Sequence, residues 1–336
     1  MGAKAGRWGR VLAANAVGVA ALLIALEGGV RVVRPDIGPA GTEASLFLDS
    51  AFVDAEGRTT GLRPGADGRA NGERVRVDSA GYHRLDGNAE AADSAGVWLW
   101  LGDSVLFGVG VPADSGVAAR VAAMQDTARV LSPAVLGWGT QDYRRRLDAV
   151  LAAGLRPERV TVLWCLNDAD PGRPSPPGTR SFVESRRRRL ISWLNRHSRL
   201  YRLVKGAALD RPARYYAYDR AFYEPLADGR GAPARIDTAL AHLGAVRDTL
   251  AARDIPLDVA VVPYEPQLRP GGDRLPQQVL VPRLRQWGVP VLDLFDAFAE
   301  ADGDPAELYL WSDGIHLSAR GHAVAARAVS RWETGE

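Results

Sequence analysis

From residue 97 onward, short apolar runs alternate with longer stretches in which apolar positions recur every three or four residues. Five runs have the length and the β-branched or aromatic content of buried strands: 97–101, 129–136, 159–165, 257–263 and 289–294. The helical period predicts helices over 115–126, 140–153, 181–205, 233–253, 275–287 and 318–332. Strands alternating with helices imply an α/β domain, a three-layer α/β/α sandwich with a central, mostly parallel five-stranded sheet. Ligands of such sheets sit beyond the carboxyl ends of the strands, so the residues just after each strand are the ones to inspect.

The chain before residue 97 has a different texture. An apolar run from Val11 to Leu26, 16 residues long, follows Lys4, Arg7 and Arg10. It is shorter than the ~20 residues that span a bilayer core, but Arg10 and Arg31 extend its reach by snorkelling. Three readings stay open: an uncleaved signal anchor, a cleaved signal peptide and, last, a buried helix of a soluble domain. The segment after Leu26, Glu27-Gly28-Gly29-Val30-Arg31, has no small-x-small cleavage site at the right place, which favours the anchor. The basic residues ahead of the run favour an inside N-terminus and an extracytoplasmic bulk; Arg31 and Arg34 beyond it weaken that vote, and secretion after cleavage is the alternative.

The expected organisation is an N-terminal membrane helix at 1–35, a linker or small β appendage at 36–95, and the α/β domain at 96–334. A helical or cap insertion is expected at about 171–233, too long for an ordinary connection. It opens on the Pro-rich piece Pro171–Pro177 and carries Arg186-Arg187-Arg188-Arg189 followed by Leu190, Trp193, Leu194, Leu200 and Leu203 at helical spacing. Two readings of that helix stand side by side, a solvated basic face and an interfacial helix touching anionic lipid or substrate.

Composition narrows the function classes. With 42 basic and 40 acidic residues the net charge is +2, so no global field points to nucleic acid. A single cysteine, Cys165, excludes an internal disulfide and offers no zinc constellation; its flanks, Val162-Leu163-Trp164 and Leu166, mark a buried strand residue.

Candidate chemistry lies after the strands. Gly102-Asp103-Ser104 follows the first, where a hydroxyl at a tight turn is either a nucleophile or a helix N-cap. Gly108 and Gly110 do not make the G-x-G-x-x-G of a dinucleotide site. Ser312-Asp313-Gly314-Ile315-His316 precedes the last helix. A serine hydroxyl needs a base to take its proton, and the base needs a carboxylate to fix its tautomer; Asp313 and His316, three apart, supply both. His197, His242 and His322 read as packing or capping residues. Leu136-Gly137-Trp138-Gly139-Thr140 and Leu166-Asn167-Asp168 also fall at strand ends. A glycine N–H and an asparagine amide suit a developing oxyanion, each donor being worth roughly 3 kcal/mol, although a turn glycine and a loop cap read as well from the residues alone.

In the order Ser104, Gly137, Asn167, Asp313/His316, these blocks resemble the SGNH (GDSL-like) hydrolase superfamily over residues 97–332, and in its bacterial membrane-anchored members the stretch 75–84 has a counterpart. The resemblance implies an SGNH/flavodoxin-like fold, Ser104 as nucleophile, His316 as general base and acid, and Asp313 as its orienter. It also implies an oxyanion hole from the Ser104 N–H, the Gly137 N–H and the Asn167 side chain, with no cofactor and no metal. The expected activity is serine-dependent hydrolysis of O-acyl esters through an acyl-enzyme. The substrate expected by analogy with the family is an ester of a small acyl group with a small molecule, a carbohydrate or an envelope polymer. O-acyl transfer to a glycan and a catalytically silent glycan-binding role are the alternatives. Tyr215, Tyr216, Tyr218, Phe222 and Tyr223 offer faces for a sugar or for packing of the cap. Val262-Pro263-Tyr264-Glu265-Pro266 is either a cleft wall or a plain turn.

Overall fold

The structure is a computed structural model of the chain. It describes residues 2–47, 61–85, 96–124, 128–170, 182–229 and 235–335. In chain order the elements are α1 (Gly2–Val33), β1 (Asp67–Ala70), β2 (Glu73–Arg76), β3 (Gly96–Leu101), α2 (Ser104–Phe107), α3 (Val117–Met124), β4 (Ala128–Leu131), α4 (Thr140–Ala152) and β5 (Arg159–Trp164). There follow α5 (Phe182–His197), α6 (Arg199–Ala208), α7 (Arg211–Arg220), α8 (Glu224–Ala227), α9 (Arg235–Ala251) and β6 (Leu257–Val261). The chain ends with α10 (Leu275–Gln286), β7 (Val291–Asp293), α11 (Phe295–Ala299) and α12 (Ala319–Thr334).

The chain divides into two compact units, one of residues 1–41 with 179–209 and one of 42–178 with 210–336. The larger unit is built on a five-stranded parallel sheet of order β4-β3-β5-β6-β7. Strands with helices on both faces are apolar on both faces, which is why Leu99, Trp100, Leu101, Val162, Leu163 and Trp164 are all fully buried. In this order the first strand, β3, lies between β4 and β5, so the direction of winding reverses there. The crevice at that reversal opens beyond the carboxyl ends of β3 and β5.

Two predicted elements differ. The strand expected over 129–136 pairs only to Leu131, because Pro133 has no N–H to give a ladder and residues 132–136 run on unpaired. The helix expected over 181–205 is two, broken at Ser198, whose backbone is extended and whose Oγ accepts the Tyr201 N–H at 3.0 Å as the N-cap of α6.

The stretch expected to be an appendage contributes to the main core. β1 and β2 form a hairpin closed by Asn71 and Gly72, both at positive φ as a two-residue type I′ turn requires. Ala70, Val75 and Val77 are buried in the same cluster as the sheet. His83, paired through a Val77 bridge, stacks on Phe107 at 4.7 Å and so buttresses the helix that follows β3.

The smaller unit consists of α1, α5 and α6. α1 contains one stretch, Val11–Val33, long and apolar enough to cross a membrane, with none of that window buried in protein. The Pro-rich piece Pro171–Pro177 and the start of the insertion lie outside the described residues, as do the side chains of Arg186 and Arg188.

Candidate active site

β3 ends at Leu101 and the chain turns at Gly102, where a Cβ would lie 2.6 Å from Leu106 Cβ; only glycine lets the strand end approach α2 so closely. Asp103 then caps α2, its Oδ1 accepting the Val105 N–H at 2.8 Å. This places Ser104 at the first position of α2, 8 % exposed, just beyond the carboxyl end of β3.

The partners come from the other end of the chain. Tyr309 and Leu317 pair antiparallel, and Leu310 N–H donates to His316 O at 2.8 Å, closing the loop 310–316. Inside it, Ser312 has φ +55, an uncommon conformation for a residue with a Cβ. Gly314 has φ +76 and a Cβ there would meet Pro212 of α7 at 2.4 Å. Two anchors tie the loop to the end of β6: Tyr309 donates its hydroxyl to Pro263 O at 2.8 Å, and Glu265 N–H donates to Gly314 O at 3.0 Å. The segment 262–266 is thus a support for this loop, with a 3-10 turn at Glu265–Leu268.

The result is a relay. His316 Nε2 lies 2.9 Å from Ser104 Oγ, and His316 Nδ1 lies 2.9 Å from Asp313 Oδ1. That oxygen also accepts the N–H groups of Ile315 and His316, at 3.1 and 2.8 Å. Burial pushes the Asp313 carboxyl upward, but the facing imidazole and these N–H groups outweigh it and hold it at about 2. Burial also penalises the charged imidazole, yet Asp313, and more weakly Asp103, raise His316 above its ordinary value. A hydroxyl, an imidazole and a fixed carboxylate in this order are the parts needed to activate an oxygen nucleophile.

Of the expected oxyanion donors, Asn167 sits in the 3-10 turn after β5 and donates its amide to Asp103 Oδ2 at 3.1 Å. The same oxygen accepts from Ser104 Oγ at 3.2 Å. Asn167 is therefore brought to Ser104 through Asp103. Gly137 stands at φ +77 in the turn before α4. The Gly139 N–H is taken by Asp142 Oδ2 at 3.1 Å, whereas no described residue takes the Gly137 N–H. No hydrogen bond among the described residues joins Gly137 to the other four.

Sequence reasoning missed the role of Asp103, although it lies inside the Gly102-Asp103-Ser104 turn. It also missed Asp168, fully buried behind the site, which accepts the Tyr143 hydroxyl at 2.7 Å and the Cys165 N–H at 2.9 Å. Burial, reinforced by the Asp103 charge, pushes the Asp168 carboxyl up. Nothing in the sequence signalled Pro212, since its contact with Gly314 joins residues a hundred positions apart. The aromatics of the insertion divide. Tyr216 donates to Asp273 at 2.6 Å, and Tyr223 accepts from Trp164 Nε1 and donates to Leu166 O, both at 2.9 Å. Tyr215 and Tyr218 of α7 remain exposed. His322 is a cap, its Nδ1 accepting the Val117 N–H at 3.2 Å; burial drives it down to about 3.

A five-stranded parallel sheet of this order, flanked by helices, is a three-layer α/β/α sandwich of the flavodoxin-like winding, with Ser104, His316 and Asp313 gathered beyond its carboxyl edge. Residues 100–324 match the GDSL-like lipase/acylhydrolase family, and the chain belongs to it. It is a serine ester hydrolase. Among solved structures it is similar to a member of the lipolytic protein G-D-S-L family from Veillonella parvula DSM 2008 (14% identity, 71% of this chain and 99% of that one, TM-score 0.44). It is also similar to a catalytic mutant of an acetylxylan esterase from Geobacillus stearothermophilus (15%, 72% and 95%, TM-score 0.41) and to the lipase/acylhydrolase from Enterococcus faecalis (18%, 71% and 96%, TM-score 0.38). No curated protein matches the chain.

Proposed function

We propose that Ser104, His316 and Asp313 are a catalytic triad that hydrolyses O-acyl esters through an acyl-enzyme. The observation that carries this is the continuous relay from Ser104 Oγ through His316 to Asp313, with both links at 2.9 Å. Ser104 Oγ attacks the ester carbonyl carbon while its proton passes to His316 Nε2, and the carbonyl oxygen becomes an oxyanion. Asp313 stays ionised and stabilises the imidazolium. The C–O bond to the alcohol then breaks, the alcohol leaving with the proton from His316. A water attacks the acyl-enzyme by the same route, and the carboxylic acid departs with Ser104 restored.

The oxyanion hole in this reading is made by the N–H groups of Ser104 and Gly137 and the Asn167 amide. Support comes from the Gly139 N–H being committed to Asp142 and from Asn167 being drawn to the nucleophile's own carboxylate neighbour. No described residue takes the Gly137 N–H, and its positive φ suits a turn that offers backbone to a substrate.

The substrate class in this reading is a small acyl ester of a carbohydrate or envelope polymer. Pro212 of α7 lies against the catalytic loop, and the same helix exposes Tyr215 and Tyr218, aromatic faces suited to a sugar ring. α1 is read as an uncleaved anchor with the catalytic domain outside the cytoplasm. Its Glu27 accepts hydrogen bonds from Ser198 Oγ and from the N–H groups of Arg199 and Leu200, so α1 is a working part of the fold beyond targeting.

The test is hydrolysis of p-nitrophenyl acetate, butyrate and octanoate by the full chain beside Ser104→Ala. The expected result is a loss of at least ~1000-fold in kcat with the fold retained, and preference for the acetyl ester. Equal activity in the two proteins overturns the triad; preference for octanoate overturns the small acyl group.

A further inference from the structure

The residues that the active site leaves unused are those of the smaller unit. Residues 1–41 and 179–209 carry 14 Lys and Arg against 3 Asp and Glu, a net of +11 in a chain whose total is +2. The catalytic unit is accordingly negative, at −9. A charge separation of this size within one chain is a property of the surface and its partners, since it adds nothing to a core.

Within this unit α6 is amphipathic: Arg199, Arg202 and Lys205 recur at three-residue spacing, with Leu200, Leu203, Val204 and Ala207 on the other face. On α5, Leu190 and Trp193 lie on one face and are more than half exposed, as is Val204 of α6. Trp193 stacks on His197 at 5.0 Å, which fixes the indole on that face. Arg187, Arg189 and Arg196 are exposed beside them. Large apolar side chains in water next to exposed arginines fit a surface that is apolar beneath and anionic on top.

The height of these helices along α1 is set by one carboxylate. Glu27 lies inside the stretch Val11–Val33, and both its oxygens are used to hold the N-terminus of α6: Oε2 accepts Ser198 Oγ at 2.8 Å and Leu200 N–H at 3.0 Å, and Oε1 accepts Arg199 N–H at 2.9 Å. Arg31 pairs with the same carboxylate at 2.8 Å and reaches His197 O at 2.8 Å. Glu27 is six residues short of Val33, so at about 1.5 Å of rise per residue α6 begins about 9 Å inside the end of the span. Helices that lie in the plane of a membrane surface bury their apolar face about 5–10 Å deep.

We propose that α5 and α6 form a second membrane contact, a helical pair lying in the interface of an anionic bilayer with Leu190, Trp193 and Val204 facing the acyl chains and Arg187, Arg189 and Arg196 the lipid phosphates. The proposal rests on the reading of α1 as a membrane span. The partner is the phospholipid surface itself, and the pair fixes the smaller unit against it instead of leaving it to swivel on a single helix.

The experiment uses the full chain in nanodiscs of one part phosphatidylglycerol to three of phosphatidylcholine, with single spin labels introduced by Leu190→Cys, Trp193→Cys, Val204→Cys, Leu22→Cys in the span and Asp248→Cys on α9. Cys165 is buried, so the parent chain serves as the unlabelled blank. Accessibility to oxygen against a water-soluble nickel chelate reports lipid or water. The expected result is lipid-like values at 22, 190, 193 and 204 and a water-like value at 248. Water-like values at 190, 193 and 204 with a lipid-like value at 22 overturn the proposal while the anchor stands; so does occlusion from both reagents, which means that a protein surface or a second copy covers the face. A water-like value at 22 overturns the anchor reading and this proposal together. Arg187→Gln, Arg189→Gln and Arg196→Gln are each expected to shift the docked population about fivefold toward water. No shift, or equal docking on phosphatidylcholine alone, overturns the anionic partner. Ester hydrolysis in the same discs verifies that each labelled protein is folded, because none of these positions belongs to the catalytic machinery.

Discussion

Asn167 and Asp103 are joined by a hydrogen bond of 3.1 Å from the amide to the carboxylate oxygen that also faces Ser104 Oγ. The amide is thereby oriented by a residue whose other oxygen caps α2. Its own Oδ1 is buried with no partner among the described residues, so the Asp103 contact alone decides which way the amide points. A donor held in advance costs no reorganisation when charge develops on a substrate oxygen.

Asn167→Ala removes this donor and leaves Asp103 Oδ2 with one fewer partner. The expected outcome is a fall in kcat of about 10²–10³-fold with KM little changed, the signature of an interaction made in the transition state. Steady-state kinetics on p-nitrophenyl acetate check it. A rise in KM at constant kcat would show Asn167 to be a binding residue instead.

Gly314→Ala tests how the catalytic loop is held. An added Cβ would sit 2.4 Å from Pro212 Cβ, and the residue would have to keep φ +76. The backbone strain alone costs about 1–2 kcal/mol, and the overlap must push the loop away from α7. Activity is expected to fall by more than the loss of stability accounts for, because Asp313 and His316 flank the strained turn. Pro212→Gly in the same chain removes the clashing ring and is expected to recover part of the activity, with thermal melts separating the two contributions.

Much of this architecture was legible because its signals are local. The five strands and the helices after them follow from hydrophobic period, and Ser104, Asn167, Asp313 and His316 stand out as polar residues placed just beyond strands or before the last helix. The illegible parts depend on pairs far apart in the chain. Pro212 against Gly314, Tyr309 against Pro263 and Glu27 against Ser198 have no sequence signature, since each is created by the fold. The unpaired 132–136 shows the opposite failure: an apolar run has a strand's composition, but Pro133 denies it a ladder.

Cys165 gives a probe of whether the core behind the site opens. It is fully buried just past β5, its Sγ 4.0 Å from the Tyr264 hydroxyl. Burial first, then the charges of Asp103 and Asp168, push its thiol well above the ordinary range. A protonated, inaccessible thiol is inert, so the native protein is expected to resist a thiol-reactive disulfide reagent and to react at the rate of unfolding. Fast labelling with activity intact would show that the sheet end opens locally.

The pH dependence follows from the two signs in the relay. Asp313 is held at about 2, below the ~3.9 of an unfolded aspartate, so its stabilisation is present above ~3.9 and is lost as pH falls through about 2. His316 is raised, so its stabilisation is complete below the unfolded value of ~6.5 and is lost as pH rises through its folded value. In the proposed triad His316 must be neutral to take the Ser104 proton, which makes the two trends oppose each other: kcat/KM is expected to rise through the window in which this part of the stability fades. The acid limb of the pH–rate profile is therefore expected to have its midpoint above ~6.5. Asp313→Asn removes the charge that raises His316 and is expected to move the midpoint down while lowering kcat by about 10⁴-fold. Measuring both profiles with p-nitrophenyl acetate tests the pairing, and an acid limb that stays in place in Asp313→Asn would show that another carboxylate sets the charge on His316.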